Sequence, residues 1–204
     1  MKKLLSLLVC LSIMLSCVVA GTGSAVAYAA KYEPSPEGDF IAFDGIIDEY
    51  IGPGGDVVIP AEIDGTPITE IASRAFDKNN EITSIVIPEG VEKIGERAFN
   101  ECPNIASIEL PYSLYELGAE VFRDAQGLTE ILIPGGIPQI PYGTFCGAKG
   151  LSDIKISNGV KEIHQGAFGL CSPKRVIFPE SVELISAGAF MYTFTQGKVE
   201  FVIC

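Results

Sequence analysis

Along most of this chain the apolar residues fall into a phrase that repeats every 23 positions. It runs Ile or Leu, three residues, a small residue, Phe, about eight residues, then a triplet whose first and third positions are apolar. The Phe column is Phe76, Phe99, Phe122, Phe145, Phe168 and Phe190, spaced by 23 residues and finally by 22. The triplets are Val57-Val58-Ile59, Ile85-Val86-Ile87, Ile108-Glu109-Leu110, Ile131-Leu132-Ile133, Ile154-Lys155-Ile156, Val176-Ile177-Phe178 and Val199-Glu200-Phe201. Such alternation predicts a short strand with one buried face. Proline follows the triplet at Pro60, Pro88, Pro111, Pro134 and Pro179, with Ser157 in the sixth place. Proline cannot donate to a ladder, so it closes the strand. After that turn a second inward pair recurs as Val91/Ile94, Leu114/Leu117, Ile137/Ile140, Val160/Ile163 and Val182/Ile185.

Each repeat thus offers about seven apolar side chains to one side, too few to fold alone. A fixed period of roughly 20–29 residues is the mark of a solenoid, whose units bury that side by stacking on their neighbours. The Phe column should stack as a ladder, with Ala75, Ala98, Ala167 and Ala189 giving it room. Segments such as Arg74-Ala75-Phe76 suit a single 3-10 or short α turn. At the front, Phe40-Ile41-Ala42-Phe43, Asp44-Gly45 and Ile46 to Ile51 read as a β-hairpin on an Asp-Gly turn, expected to cap the first coil. Gly54-Gly55 leads from this cap into the coils, and five extra residues around Asp64-Gly65-Thr66-Pro67 lengthen the first coil. At the other end, Val199 to Cys204 is an apolar strand that invites either further chain or self-association through the 199–204 edge.

Composition adds an address. Met1-Lys2-Lys3, the apolar run Leu4 to Ala20 and Ala27-Tyr28-Ala29 have the order of a secretory signal peptide cleaved after Ala29. A membrane anchor and lipidation at Cys17 are the alternatives. The chain then divides into residues 1–29 as signal peptide, 30–55 as linker and hairpin cap, and 56–204 as about six repeats. Removing the two lysines of the leader from 14 basic residues leaves 12 against 26 acidic ones, a charge near −14. That charge disfavours nucleic acid and anionic membrane surfaces as partners. Cys102, Cys146, Cys171 and Cys204 remain after cleavage. Cys102 and Cys171 occupy the same slot three repeats apart, out of disulfide reach at about 4.8 Å per stacked strand. The first three of these cysteines therefore read as small buried apolar residues.

The pattern I-x-x-x-A-F-x-x-C-x-x-L-x-x-I-x-I-P resembles the BspA-like (Treponema-type) class of bacterial leucine-rich repeats. Ile94-Gly95-Glu96-Arg97-Ala98-Phe99-Asn100-Glu101-Cys102, with Ile105 and Ile108-Glu109-Leu110-Pro111, matches it nearly position by position. Residues 46–76 resemble the lead-in that often precedes such repeats. Val121, Thr144, Ser157 and the shortened coil at Ser172-Pro173 depart from it. The resemblance implies an α/β leucine-rich repeat solenoid, strand-rich, with a parallel sheet on the concave side and short helical or 3-10 turns opposite. It also implies an exported or surface-attached protein that binds macromolecules and catalyses nothing.

The chemistry in the chain agrees with that expectation. His164 is the one histidine, and no cysteine beside it completes a zinc site or triad. Gly54-Gly55 lacks the lysine of a phosphate loop. Glu89/Glu92 and Glu180/Glu183 lack the dense Asp-rich loop of a calcium site and read as solvated charge. No catalytic residue, cofactor or metal is expected. The outward middle column of the strands, Val86, Glu109, Leu132, Lys155 and Ile177, with Glu130, Asp153 and Arg175 one step before the triplets, is the candidate partner surface. Tyr112 near a strand exit is a candidate aromatic anchor. The expected partner is a host matrix protein or another cell-surface protein. A glycan-binding wall component, or the front of a longer surface protein, is the alternative.

Overall fold

The computed structural model describes residues 32–193 and 200–203, and the described residues from Pro34 onward belong to one compact unit. The leader and Cys17 lie outside the described residues, as do Val199 and Cys204. That unit is a strand-rich parallel solenoid of about seven turns with almost no helix. Six successive coils contribute two strands each, and a seventh long strand follows them. The longer ones are Gly55–Val58, Ile82–Val86, Ser107–Glu109, Glu130–Ile133, Asp153–Ile156, Arg175–Phe178 and Glu200–Ile203. The shorter ones are Glu70–Ile71, Lys93–Ile94, Glu116–Leu117, Gln139–Ile140, Glu162–Ile163 and Leu184–Ile185. Equivalent strands pair in parallel, coil on coil, as in Ile131↔Ile154↔Val176 and Ile71↔Ile94↔Leu117.

The interior holds what the repeat places there. Ile85, Ile108, Ile131, Ile154 and Val176 are buried, and so are Ile94, Leu117, Ile140 and Ile163. The Phe ladder forms, with centroids 4.6 to 5.4 Å apart from Phe76 to Phe190 and planes within 28°. It runs further than the repeat foretells. Tyr50 stacks on Phe76 at 5.1 Å, and Phe40 closes the column at a tilt 5.3 Å from Tyr50. Cys102 and Cys171 are fully buried free thiols, each donating to the carbonyl of the Phe one coil back, at 3.1 Å. Burial pushes the Cys102 thiol up to about 12 and Cys171 in the same direction. Cys146 is free and half-buried. Thr144 also sits fully buried, its hydroxyl satisfied by the Pro141 carbonyl at 2.9 Å.

The Phe segments depart from the expected helical turn. Residues two before and two after each Phe are left-handed, from Arg74 (φ 65°) and Lys78 (φ 61°) through Glu120, Asp124, Gly143 and Gly147 to Gly188 and Tyr192. This alternation turns every second amide towards the next coil. Phe76, Phe99, Phe122, Phe145 and Phe168 each donate to a carbonyl of the following coil at 2.7 to 2.9 Å. A helical turn would direct those amides along its own axis, so inter-coil bonding wins. Among the described residues the one 3-10 turn is Glu37–Asp39. Left-handed Lys78 is exposed, and its strain exceeds the chain entropy that glycine loses on folding. Lys78→Gly is therefore expected to raise stability by about 0.5–1 kcal/mol, read as a higher urea midpoint.

At the front, Phe40–Phe43 and Ile46–Tyr50 form an antiparallel hairpin whose second strand pairs in parallel with Glu70–Ile71. Asp44 (φ 51°) and Gly45 (φ 78°) make its turn, both left-handed as a primed turn requires. The five extra residues of the first coil form a second small hairpin, Glu62–Ile63 with Thr66–Pro67, on Asp64-Gly65. The last strand is shifted from the expected triplet. Arg175 pairs with Glu200 and Ile177 with Val202, so Phe201-Val202-Ile203 takes the triplet place. The final coil is two residues longer than the repeat, which displaced the period-based register.

Candidate interaction surface

The outward face of the long strands is built by pairing register. Val58, Val86 and Glu109 align across three strands, and Leu132, Lys155, Ile177 and Val202 across the next four. One step earlier run Asp56, Ser84 and Ser107, then Glu130, Asp153, Arg175 and Glu200. The alternation of the strand puts all of these on the side away from the core.

Their exposure is unequal. Leu132 is 48 % exposed, while Glu109, Lys155 and Ile177 are half-buried. Val86 is only 5 % exposed, so it supports Val58 and Glu109 and offers no contact area. Glu130 and Arg175 are exposed. The charges lean on one another: Lys155 Nζ lies 3.9 Å from Glu130 and 4.0 Å from Asp153, and Arg175 Nε 3.7 Å from Glu200. Asp153 Oδ1 is enclosed without a hydrogen-bond partner, leaving Lys155 as its compensation. Asp56 accepts from Ser84 at 2.7 Å and Thr83 at 2.9 Å, and these bonds hold its carboxyl below the usual range. Tyr112 is 68 % exposed but stands beyond Pro111, past the end of Ser107–Glu109, and so outside the strip.

A model of the BspA type leucine rich repeat region matches residues 69–195 in six copies. The chain belongs to the BspA-type leucine-rich repeat family. No curated protein matches this chain. Solved structures with the same fold include a leucine rich cell surface protein from Faecalibacterium prausnitzii, at 22% identity and TM-score 0.58 over 79% of this chain and 52% of that one. A leucine-rich repeat protein from Eubacterium ventriosum matches at 19% identity and TM-score 0.58, over 74% and 46% of the two chains. The pneumococcal vaccine antigen PcpA matches at 18% identity and TM-score 0.55, over 83% and 47%. The chain spans about half the length of each of these three. At such identities the likeness concerns the fold alone.

Within the BspA-type frame, other polar residues tie coil to coil. Glu89 accepts the amides of Tyr112 and Ser113 at 2.9 and 3.1 Å, so this glutamate closes the next turn and is more than solvated charge. Lys93 lies between Glu70 and Glu116 at 3.4 and 3.5 Å, and their charges, Glu70 first, raise its pKa. His164 Nε2 meets Glu162 at 3.1 Å. Sequence reasoning missed Glu120, which is 5 % exposed and bonded to both Arg97 and Arg123. Its backbone is left-handed at φ 55° and its carboxylate partners come from Arg97 and Arg123, and no period in the apolar pattern reports that. Among the described residues no helix is long and apolar enough to cross a membrane, and no group of side chains is placed to hold a metal ion.

Proposed function

We propose that this protein is an exported or cell-surface interaction module that binds a protein partner through the outward face of its long strands, without catalysis. The observation that carries this reading is the alignment of Leu132, Lys155 and Ile177 across three hydrogen-bonded strands. An exposed leucine there sits on a rigid sheet, with Glu130 and Arg175 as a charged border. Apolar side chains interleaved with charge, as Leu132 and Ile177 are with Lys155, suit a partly polar recognition patch. On this reading the long-strand face is the concave one, and the Phe40–Tyr50 hairpin is the cap that shields the first coil. The family supports the reading, as do structural relatives described as a cell surface protein and a vaccine antigen. The leader-like residues 1–29 supply the route of export.

The test is surface plasmon resonance of the purified protein over immobilised extracellular matrix proteins, collagen and laminin among them. Leu132→Ala is expected to weaken the bound partner about tenfold, with Lys155→Glu weakening it further and steepening the salt dependence. Affinity unchanged in the Leu132→Ala/Lys155→Glu double variant would sink the assignment of this face.

A further inference from the structure

Among the described residues, Phe40–Phe43 is the outermost strand of its five-stranded sheet and pairs on one side only, with Ile46–Tyr50. The Asp39 carbonyl accepts from the Ile51 amide at 2.8 Å, which turns the main chain of Asp39 towards the partner strand. Residues alternate in an antiparallel ladder, so Ile41 and Phe43 turn the same way and the N–H and C=O of Ala42 face the open edge. The extra residue of this pair, Asp48, lies on the second strand and not on the edge.

The side chains alternate as well. Phe40 is buried against Tyr50, while Ile41 and Phe43 are 46 % and 78 % exposed. Across the hairpin Ile51 is also exposed, and Glu49 lies opposite Ile41. Proteins blunt such an edge with proline, with lysine, or by keeping the strand too short to template pairing. Phe-Ile-Ala-Phe carries neither residue, and at four residues it is twice the length of Glu70–Ile71 in the same sheet.

Charge indicates what this edge would pair with. Residues 32–73 hold no lysine, arginine or histidine. Around the hairpin Glu37, Asp44, Asp48 and Glu49 are exposed and Asp39 is half-buried. Among the described residues none of these five carboxylates forms an ion pair. Pairing between two copies of the hairpin would bring the same acids together, which like charge opposes. A strand with basic residues set between apolar ones answers both the carboxylates and the exposed Ile41 and Phe43.

We propose that the Phe40–Phe43 edge is a docking site for an extended basic segment of a partner protein, which joins the sheet as a further strand. Main-chain hydrogen bonds to Ala42 fix its register. Its apolar side chains cover Ile41 and Phe43, and its lysines or arginines meet Asp39, Asp44 and Glu49. The site shares no residue with the outward strip of the long strands, so it stands or falls independently of that reading.

Fluorescence anisotropy of a labelled Lys-Val-Lys-Val-Lys-Val-Lys peptide with the purified protein tests it. Binding is expected, weakened about tenfold in Phe43→Ser and in Ala42→Pro. Phe43 is exposed and the Ala42 amide lies outside the hairpin's own ladder, so both variants should keep the circular dichroism spectrum of the parent. Lys-Pro-Lys-Pro-Lys-Pro-Lys has equal charge but cannot add as a strand, and should bind about tenfold more weakly than the valine peptide. Asp44→Asn/Glu49→Gln should flatten the fall of affinity with salt. Leu132→Ala/Lys155→Glu should leave peptide binding unchanged. No binding of the valine peptide, equal binding of the proline peptide, or equal affinity of the parent and both edge variants would overturn the proposal. A dimer in sedimentation velocity that Phe43→Ser dissolves would overturn it too, and give the edge to a second copy.

Discussion

Phe122→Ala is expected to cost about 3–5 kcal/mol, through lost burial and the cavity left between two neighbouring rings. Phe122 is fully buried, with Phe99 and Phe145 each 5.4 Å away by ring centroid. The ring cannot be replaced by collapse, because the Phe122 amide is held by the Thr144 carbonyl and the flanking coils by their own ladders. For a domain of this size the loss corresponds to roughly 6–20 °C in melting temperature. A solenoid couples each unit only to its neighbours, so a central defect should also split or broaden the transition. Phe190→Ala should cost less, since Phe190 is only partly buried and has one ladder neighbour, Phe168. Urea melts of the two variants check this. A Phe122→Ala loss below about 1 kcal/mol would mean that the coils repack around the gap.

Glu120→Gln is expected to cost about 1–3 kcal/mol at neutral pH, by breaking charge-assisted bonds in a buried place. Glu120 meets Arg97 and Arg123, and both guanidinium groups are partly exposed and can rehydrate, which keeps the cost below that of a fully buried triad. Burial alone would raise the Glu120 carboxyl, but the hydrogen bonds and charges of the two arginines outweigh it and hold the group below its ordinary value. The sign follows from the depressed folded pKa. The stabilisation is complete above the unfolded carboxylate pKa of about 4.3 and is lost as pH falls through the folded value. The gap between parent and variant should therefore be full at pH 7 and close in strong acid. A gap that stays constant down to pH 3 would show that packing, and not charge, is what the glutamine disturbs.

Much of the fold was legible because a solenoid writes its contacts at a constant sequence distance. Phe76 to Phe168 at 23-residue spacing required stacking, and Ile131, Ile154 and Val176 required a shared strand face. The same arithmetic failed wherever the spacing changed. It placed Val199-Glu200-Phe201 two residues out of register, because the last coil is longer. It counted Val86 as an outward contact, although the structure covers that side chain. It left Tyr50 and Phe40 outside the aromatic ladder, since they reach it from a hairpin with no repeat of its own.

The sequence by itself determined the period, the inward face, the strand-closing prolines and the two Asp-Gly turns, because each depends on residue type at short range. Only the tertiary structure decided the rest. The turn at each Phe is left-handed because its alternate amides must reach the next coil, a demand invisible within one repeat. Glu120 became an ion-pair centre because stacking brings Arg97 beneath it from 23 residues away. The short-strand ladder stops between Glu116–Leu117 and Gln139–Ile140 where Pro138 and Pro141 stand in the places that give amide donors on the coils before and after, and a proline shows which donor it lacks only once its acceptor is in place.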